Sequence, residues 1–210
     1  MKNLNFVAAG ALALVATYPV AATADPMNPS FYAGVFGGGV FYNGDYGNVG
    51  YPPSVTTSGT LGTAGGLVGA RFQQGDWFFG GELDGGFSFG ESVDSSHVGC
   101  AAAGLDWCGQ KGSIHSRAVV GRSVNGIDIF ASAGLAAAFM EYQNTSASAS
   151  PLTIFGYSVG AGVEFDVTER ASARVEFLHD QFGTQATESG YNGKWSQNTV
   201  RAAAIFRFGN

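Results

Sequence analysis

The side chains of this 210-residue chain with the widest chemistry are three histidines and two cysteines: His97, His115, His179, Cys100 and Cys108. A nucleophile–base pair needs a hydroxyl or thiol within hydrogen-bond reach of an imidazole. His115 and Ser116 are adjacent, so in an extended segment they point to opposite faces. His179 is followed by Asp180 and Gln181, with no hydroxyl two residues on, where it would share the histidine's face. A metal site is incomplete, because His97 alone cannot finish a ligand set with Cys100 and Cys108. The remaining candidates are charges inside apolar, glycine-rich stretches. Arg71, Arg117, Arg174, Arg201 and Arg207 stand against Glu82, Asp84, Asp128, Glu164 and Glu176. Planar guanidinium forks suit confined, hydrogen-bonded carboxylates. If these ten converge, they form an ionic interior.

Composition bounds the elements that could carry them. Charged residues are only 12% of the chain while hydrophobic ones are 45%, so it is not a highly charged disordered chain. With 33 Gly, 17 Phe and 8 Tyr, the composition points to β-structure. The 16 acidic residues outnumber the 10 basic ones, and no basic run offsets the net charge of −6, which excludes a nucleic-acid partner. Arg exceeds Lys seven to three, an unusual ratio for a solvated surface.

Met1-Lys2-Asn3, the apolar run Phe6–Val15 and the small-x-small triplet Ala22-Thr23-Ala24 have the layout of a secretory signal peptide. The apolar run is short for a membrane anchor, and Thr17 and Pro19 interrupt its continuation. Cleavage is expected between Ala24 and Asp25, dividing the chain into a signal peptide (1–24) and one domain (25–210). In an exported chain Cys100 and Cys108 read as a disulfide. Closing that short loop would contribute about 2.5 kcal/mol on the chain-entropy account.

Eight extended segments follow, over roughly 31–42, 59–73, 76–90, 112–124, 126–142, 152–167, 170–183 and 195–208. Short joints at Gln74-Gly75, Asn125-Gly126 and Thr168-Glu169 alternate with long connections at about 43–58, 91–111, 143–151 and 184–194. This sorting by side predicts an all-β fold: an eight-stranded antiparallel up-and-down transmembrane barrel, with short periplasmic turns, long extracellular loops and both termini periplasmic. Period-two alternation assigns the faces. Leu83, Ile129, Ala133, Val159, Val175 and Val200 lie on apolar faces, and the ten charges lie on the opposite ones together with Asp180 and several glycines. These polar faces hold Arg but no Lys, and their charges nearly balance, the ten standing five to five, so they read as an ion-paired lumen with the apolar face toward lipid. Phe31, Phe72, Trp77, Phe165 and Phe208 at one end, and Tyr42, Phe89, Tyr142 and Trp195 at the other, are candidates for interfacial girdles. His115 and His179 fall near the extracellular rim as unpaired residues. The facing of the first, second and fourth segments stays open apart from Arg71 and Arg117.

Four stretches resemble small eight-stranded outer-membrane barrels, especially the major outer-membrane proteins of alphaproteobacteria, often called porins. They are Ser30–Gly39, Ser158–Phe165 with Thr168–Arg170, Ser172–Phe177 leading to Gly183, and Asn198–Phe208. The likeness spans residues 30–208. It implies contact with outer-membrane lipid and lipopolysaccharide, and assembly machinery that reads the closing strand. The family usually ends on the aromatic itself, whereas Gly209-Asn210 follow Phe208 here.

An eight-stranded barrel is just wide enough for side chains to fill it. Lumen charges make an open channel narrower still, although the inward glycines leave some room. The expected function is therefore non-enzymatic: envelope structure with surface loops whose partner the residues do not name. A narrow porin is the alternative. A lipid A deacylase would carry His-x-Ser on one strand, which His179-Asp180-Gln181 lacks. A rim protease would need an acidic dyad at the rim, and Glu82 and Asp84 lie mid-strand. No cofactor or metal is expected.

Overall fold

The computed structural model describes residues 29–48, 51–90, 93–94, 107–143, 150–186 and 191–208. Its strands are β1 (Ser30–Asn48), β2 (Tyr51–Gln74), β3 (Trp77–Phe89), β4 (Val93–Asp94), β5 (Trp107–Val124), β6 (Ile127–Gln143), β7 (Ser150–Asp166), β8 (Ala171–Ala186) and β9 (Tyr191–Phe208). Neighbours pair antiparallel in the order β3-β2-β1-β9-β8-β7-β6-β5, and β5 returns to pair with β3. Eight strands thus close a barrel at the level where β3 pairs with both β2 and β5. The two-residue β4 adds a rung to β5 beyond the end of β3.

Three tight connections share one end with the start of β1 and the end of β9; this is the turn end, and the opposite one the open end. Gly75 has φ of 61° and the Asn125-Gly126 pair has φ of 52° and 80°. Two consecutive positive φ values form the mirror-image turn whose twist matches a hairpin, which is why Asn-Gly stands there. Thr168 Oγ1 accepts hydrogen bonds from the backbone N–H of Ala171 (3.0 Å) and Arg170 (3.3 Å) in the third turn.

At the open end the strands are longer than the hydrophobic pattern predicts. The connection expected over 43–58 is mostly ladder, with Asp45 opposite Thr56 and Tyr46 opposite Val55, and only residues 49 and 50 lie between β1 and β2. Likewise β5 begins at Trp107 and β9 at Tyr191. Backbone pairing continues past the point where one face is apolar, so periodicity reports the belt and not the strand end.

The barrel is apolar outside and charged inside. Leu135 is 71% exposed and Phe155 68%, whereas Arg117 and Glu176 are each 2% exposed. The expected outward residues Leu83, Ile129, Val159, Val175 and Val200 are all exposed, in a belt with Val35, Val68, Phe87 and Phe177. Such a surface meets lipid rather than water. The strands left open now have a facing. β1 turns Tyr32, Phe36, Val40 and Tyr42 inward and β2 turns Leu61, Thr63 and Leu67 inward. In β5, His115, Arg117 and Val119 point in while Ile114 and Val120 point out.

Candidate functional site

The lumen is the one place where the described charged side chains converge. Glu82 and Asp84 project from β3, Arg117 from β5, Glu176 from β8 and Arg201 from β9, all by the same period-two rule. Arg117 reaches across the barrel and binds three carboxylates: Nη2 donates to Asp84 Oδ2 (2.8 Å) and to Glu82 Oε1, and Nη1 to Glu176 Oε1. Arg201 donates through Nε to Glu176 Oε2 (2.9 Å) and through Nη1 to Asp84 Oδ1 (3.0 Å).

A second cluster lies nearer the turn end. Arg174 donates to Glu164 Oε2 from Nε (2.9 Å), and its Nη2 lies 2.8 Å from the same oxygen as an ion pair. Arg207 meets Glu164 Oε1 at 2.6 Å, and Arg71 meets Asp128 Oδ2 at 2.7 Å. Ser172 Oγ donates to Glu164 Oε1 at 2.7 Å. Glu82 joins the clusters, since it takes Arg117 on Oε1, and Arg174 and the Tyr32 hydroxyl on Oε2. The ten charges singled out in the sequence are all in this network. They form two tiers joined at Glu82. The reason is register: Glu164 stands opposite Arg174, while Glu176 stands two residues along β8 opposite Arg201.

The room expected beside the inward glycines is occupied. A Cβ at Gly69 would overlap the Tyr32 ring, one at Gly121 the Phe78 ring, one at Gly162 the Phe130 ring, and one at Gly65 or Gly86 the Phe36 ring. Each ring lies against a glycine of the wall and carries an arginine guanidinium over it. Arg71 lies 4.2 Å from the Phe78 centroid, Arg201 4.4 Å from Phe36, and Arg174 4.9 Å from Phe130 and 5.6 Å from Tyr32. The wall is thus layered as glycine, ring, guanidinium and carboxylate, with cation–π attraction added to the ion pairs. These four inward aromatics escape a reading that looks for polar faces. Their signal is a large ring opposite a glycine on the neighbouring strand.

Two expectations about the open end are corrected. Tyr42 and Trp195 belong to no girdle: they are 4% and 6% exposed, point inward and stack at 4.8 Å. Trp195 has the parity of inward Arg201. They join Val40, Leu61, Ala136, Ala138, Ile154 and Phe182 in an apolar cluster that fills the open half of the lumen. His115 is also no rim residue. It is 6% exposed, with Nδ1 2.8 Å from Asp84 Oδ1 and Nε2 3.2 Å from Asp180 Oδ2. Its strand and β8 are not neighbours, but they face one another across the lumen. Its parity with Arg117 was the available signal. His179 is half-buried and pairs with Asn198 Oδ1 at 2.9 Å.

Chemically, the arrangement binds its own members. Arginine does not give up its proton in proteins. Ser132 and Ser172 contact Arg117 and Glu164 respectively, and both ring nitrogens of His115 face carboxylates. Among the described residues no group of three or more His, Cys, Asp or Glu is arranged to hold a metal ion. The Cys100–Cys108 pairing and the Ala24–Asp25 cleavage position lie outside the described residues.

No protein-family model matches the chain. It is 30% identical over 182 residues to the 22 kDa outer membrane protein of Rhizobium leguminosarum bv. viciae, covering 85% of this chain and 77% of that protein. It is also 30% identical over 123 residues to the 25 kDa outer-membrane immunogenic protein of Brucella abortus, a match covering 58% of this chain and 53% of that one. The solved structure of Neisserial surface protein A shares the fold, with a TM-score of 0.50 at 13% identity, over 85% of this chain and 97% of that one. A closed eight-stranded barrel with an apolar belt, and a relative aligned along most of both chains, give one conclusion: this chain belongs to the family of small outer-membrane β-barrel proteins that includes the 22 kDa outer membrane protein of Rhizobium leguminosarum.

Proposed function

We propose that the protein is a non-enzymatic structural component of the outer membrane whose lumen is closed by its own ion network. The observation that carries this reading is the pair of linked tiers around Arg117 and Arg174, whose side chains are 0% and 5% exposed. Arg117, Glu82, Asp84 and Glu176 meet across the lumen, and the aromatic rings take up the space beside the glycines. A solute crossing this level would have to separate them, and a buried charge that loses its partner is costly.

The absence of a proton acceptor free of internal partners at His115, Ser132 and Ser172 supports a role without catalysis. In this reading the turn end is periplasmic and the open end faces outward. The chain arrives through a signal peptide cut after Ala24, the closing strand β9 engages the assembly machinery, and lipopolysaccharide covers the outer half of the belt. The outward connections, with a Cys100–Cys108 disulfide in one of them, are the surface offered to partners.

Planar-bilayer recording of the refolded mature protein tests the closed lumen. The expected record is a baseline without steady conductance. Stable, voltage-independent current steps in proportion to the protein added would replace the closed barrel by a narrow porin.

A further inference from the structure

One buried group takes no part in the arginine–carboxylate pairing: His115, whose two ring nitrogens contact Asp84 on β3 and Asp180 on β8. A neutral imidazole has a single N–H, so one of the two contacts would set a nitrogen lone pair against a carboxylate oxygen. The imidazolium donates at both. Charge counting leads to the same form. The described lumen holds Arg71, Arg117, Arg174, Arg201 and Arg207 against Glu82, Asp84, Asp128, Glu164, Glu176 and Asp180, and a charged His115 makes the sixth cation.

The surroundings fix what its proton controls. From β3, Asp84 is also held by Arg117 of β5 and Arg201 of β9. From β8, Asp180 has a weaker, uncharged set of partners: Gln197 of β9 donates to Oδ2 at 2.7 Å, and the Ser158 hydroxyl stands beside it from β7. Glu82 and Glu176 face Arg117 and not the imidazole. The residues paired with His115 from β6 and with Asp84 from β2 are Ala136 and Leu67, which carry no charge. Toward the open end, Gln197 Oε1, Trp195 Nε1 and both ends of the Gln110 amide have no protein partner. Buried polar atoms of this kind are normally served by water.

We propose that Asp84–His115–Asp180 is a proton-controlled latch across the lumen. With both ring nitrogens protonated it ties β3 and β5 to β8. When the imidazolium loses a proton to external water, the remaining N–H stays with Asp84, the closer partner, and Asp180 is left to the neutral Gln197 and Ser158. The open half of the lumen then loosens while the Arg117 and Arg174 tiers hold. The latch rests on the closed-lumen reading, so its test must separate the two.

Nitrogen-15 NMR of histidine-labelled protein in micelles, with His115→Gln assigning the signal, reads the ring directly. The expected spectrum at pH 7.5 shows two protonated nitrogens for His115, converting to a neutral ring under alkaline conditions. In parallel, the heat-induced gel-shift midpoint of the wild type should fall between pH 6 and pH 9.5, by about 5 °C for a loss of this kind in a chain of this size. Asp180→Asn and His115→Gln should each lack that fall, and His179→Gln should keep it. A neutral tautomer at pH 7.5, or parallel pH profiles for wild type and both latch variants, would overturn the latch even if bilayers showed a closed lumen. Steady conductance at pH 6 alongside an imidazolium signal would reject the closed lumen and keep the bridge. The wild-type spectrum decides the protonation state even if His115→Gln does not fold, with the remaining histidines assigned by His97→Gln and His179→Gln.

Discussion

Removing Arg174 tests whether the lumen charges act as a buried network or as screened pairs. The guanidinium gives Glu164 a hydrogen bond at 2.9 Å and a second ion-pair contact at 2.8 Å, gives Glu82 another hydrogen bond, and covers the Phe130 ring. Stranding one partner of a buried pair costs roughly 3–5 kcal/mol. Here the lower part of that range applies, because Glu164 keeps Arg207 and Ser172, and Glu82 keeps Arg117 and Tyr32. Arg174→Ala should therefore lose about 3 kcal/mol, and Glu164→Ala a similar amount because it strands Arg174 in turn. The double variant removes both ends of a charge-assisted hydrogen bond and its flanking ion-pair contact, so its loss should fall short of the sum by about 2 kcal/mol. Urea unfolding of all four proteins in lipid vesicles, followed by tryptophan fluorescence and by gel mobility, gives the cycle. Exposed ion pairs couple by well under about 1 kcal/mol. Additive losses within about 0.5 kcal/mol would refute the buried network.

Three further perturbations address the wall. Val159→Arg puts a charge on the exposed belt of β7 and should reduce the folded fraction in vesicles by an amount equivalent to roughly 2–4 kcal/mol; Ala133→Arg, on the same face of β6, should behave alike. Gly69→Ala should destabilise by about 1–3 kcal/mol through overlap with Tyr32, and a Tyr32→Leu background should recover part of that loss in the same urea assay. Gly126→Ala, at φ of 80°, should cost about 1 kcal/mol and slow refolding of the β5–β6 hairpin, seen by stopped-flow fluorescence.

The strand interiors and their facing were legible wherever a charge or a bulky aliphatic marked every second residue, as in β6, β7 and β8. The ten charges of the network were legible for the same reason. The inner aromatics were less so: Tyr32 and Phe36 lie on a strand whose facing stayed open, and Phe78 and Phe130 share the parity of Asp84 and Asp128 but look like belt residues by type until a glycine is known to stand opposite. Tyr42 and Trp195 failed in the same way. Position near a strand end suggested a girdle, and only parity with Gln197 and Arg201 turns Trp195 inward. His115 needed knowledge of which strands face each other across the lumen, information that sequence spacing does not carry. One inner-face expectation also changes. By polarity alone a change such as Gly160→Ser is mild on an inward face, but a Cβ there would lie 2.8 Å from the Phe177 carbonyl oxygen and 2.9 Å from Ser132 Oγ. The inner face is crowded as well as polar.

The stacking of glycine, ring, guanidinium and carboxylate imposes an order on sequence change. Enlarging Gly69 meets Tyr32 unless that ring has already shrunk. Shrinking Tyr32 uncovers one side of Arg174 and removes a hydroxyl donor from Glu82. Altering Arg174 then strands carboxylates on two other strands. A single step at any layer is penalised by the next one, although the layers sit on different strands and far apart in the chain. The interior therefore drifts only through compensated groups of substitutions, outermost glycine last, whereas the lipid belt changes freely among apolar residues of any shape. Two lineages of this barrel should differ abruptly inside, by whole stacks, and gradually outside, by single residues.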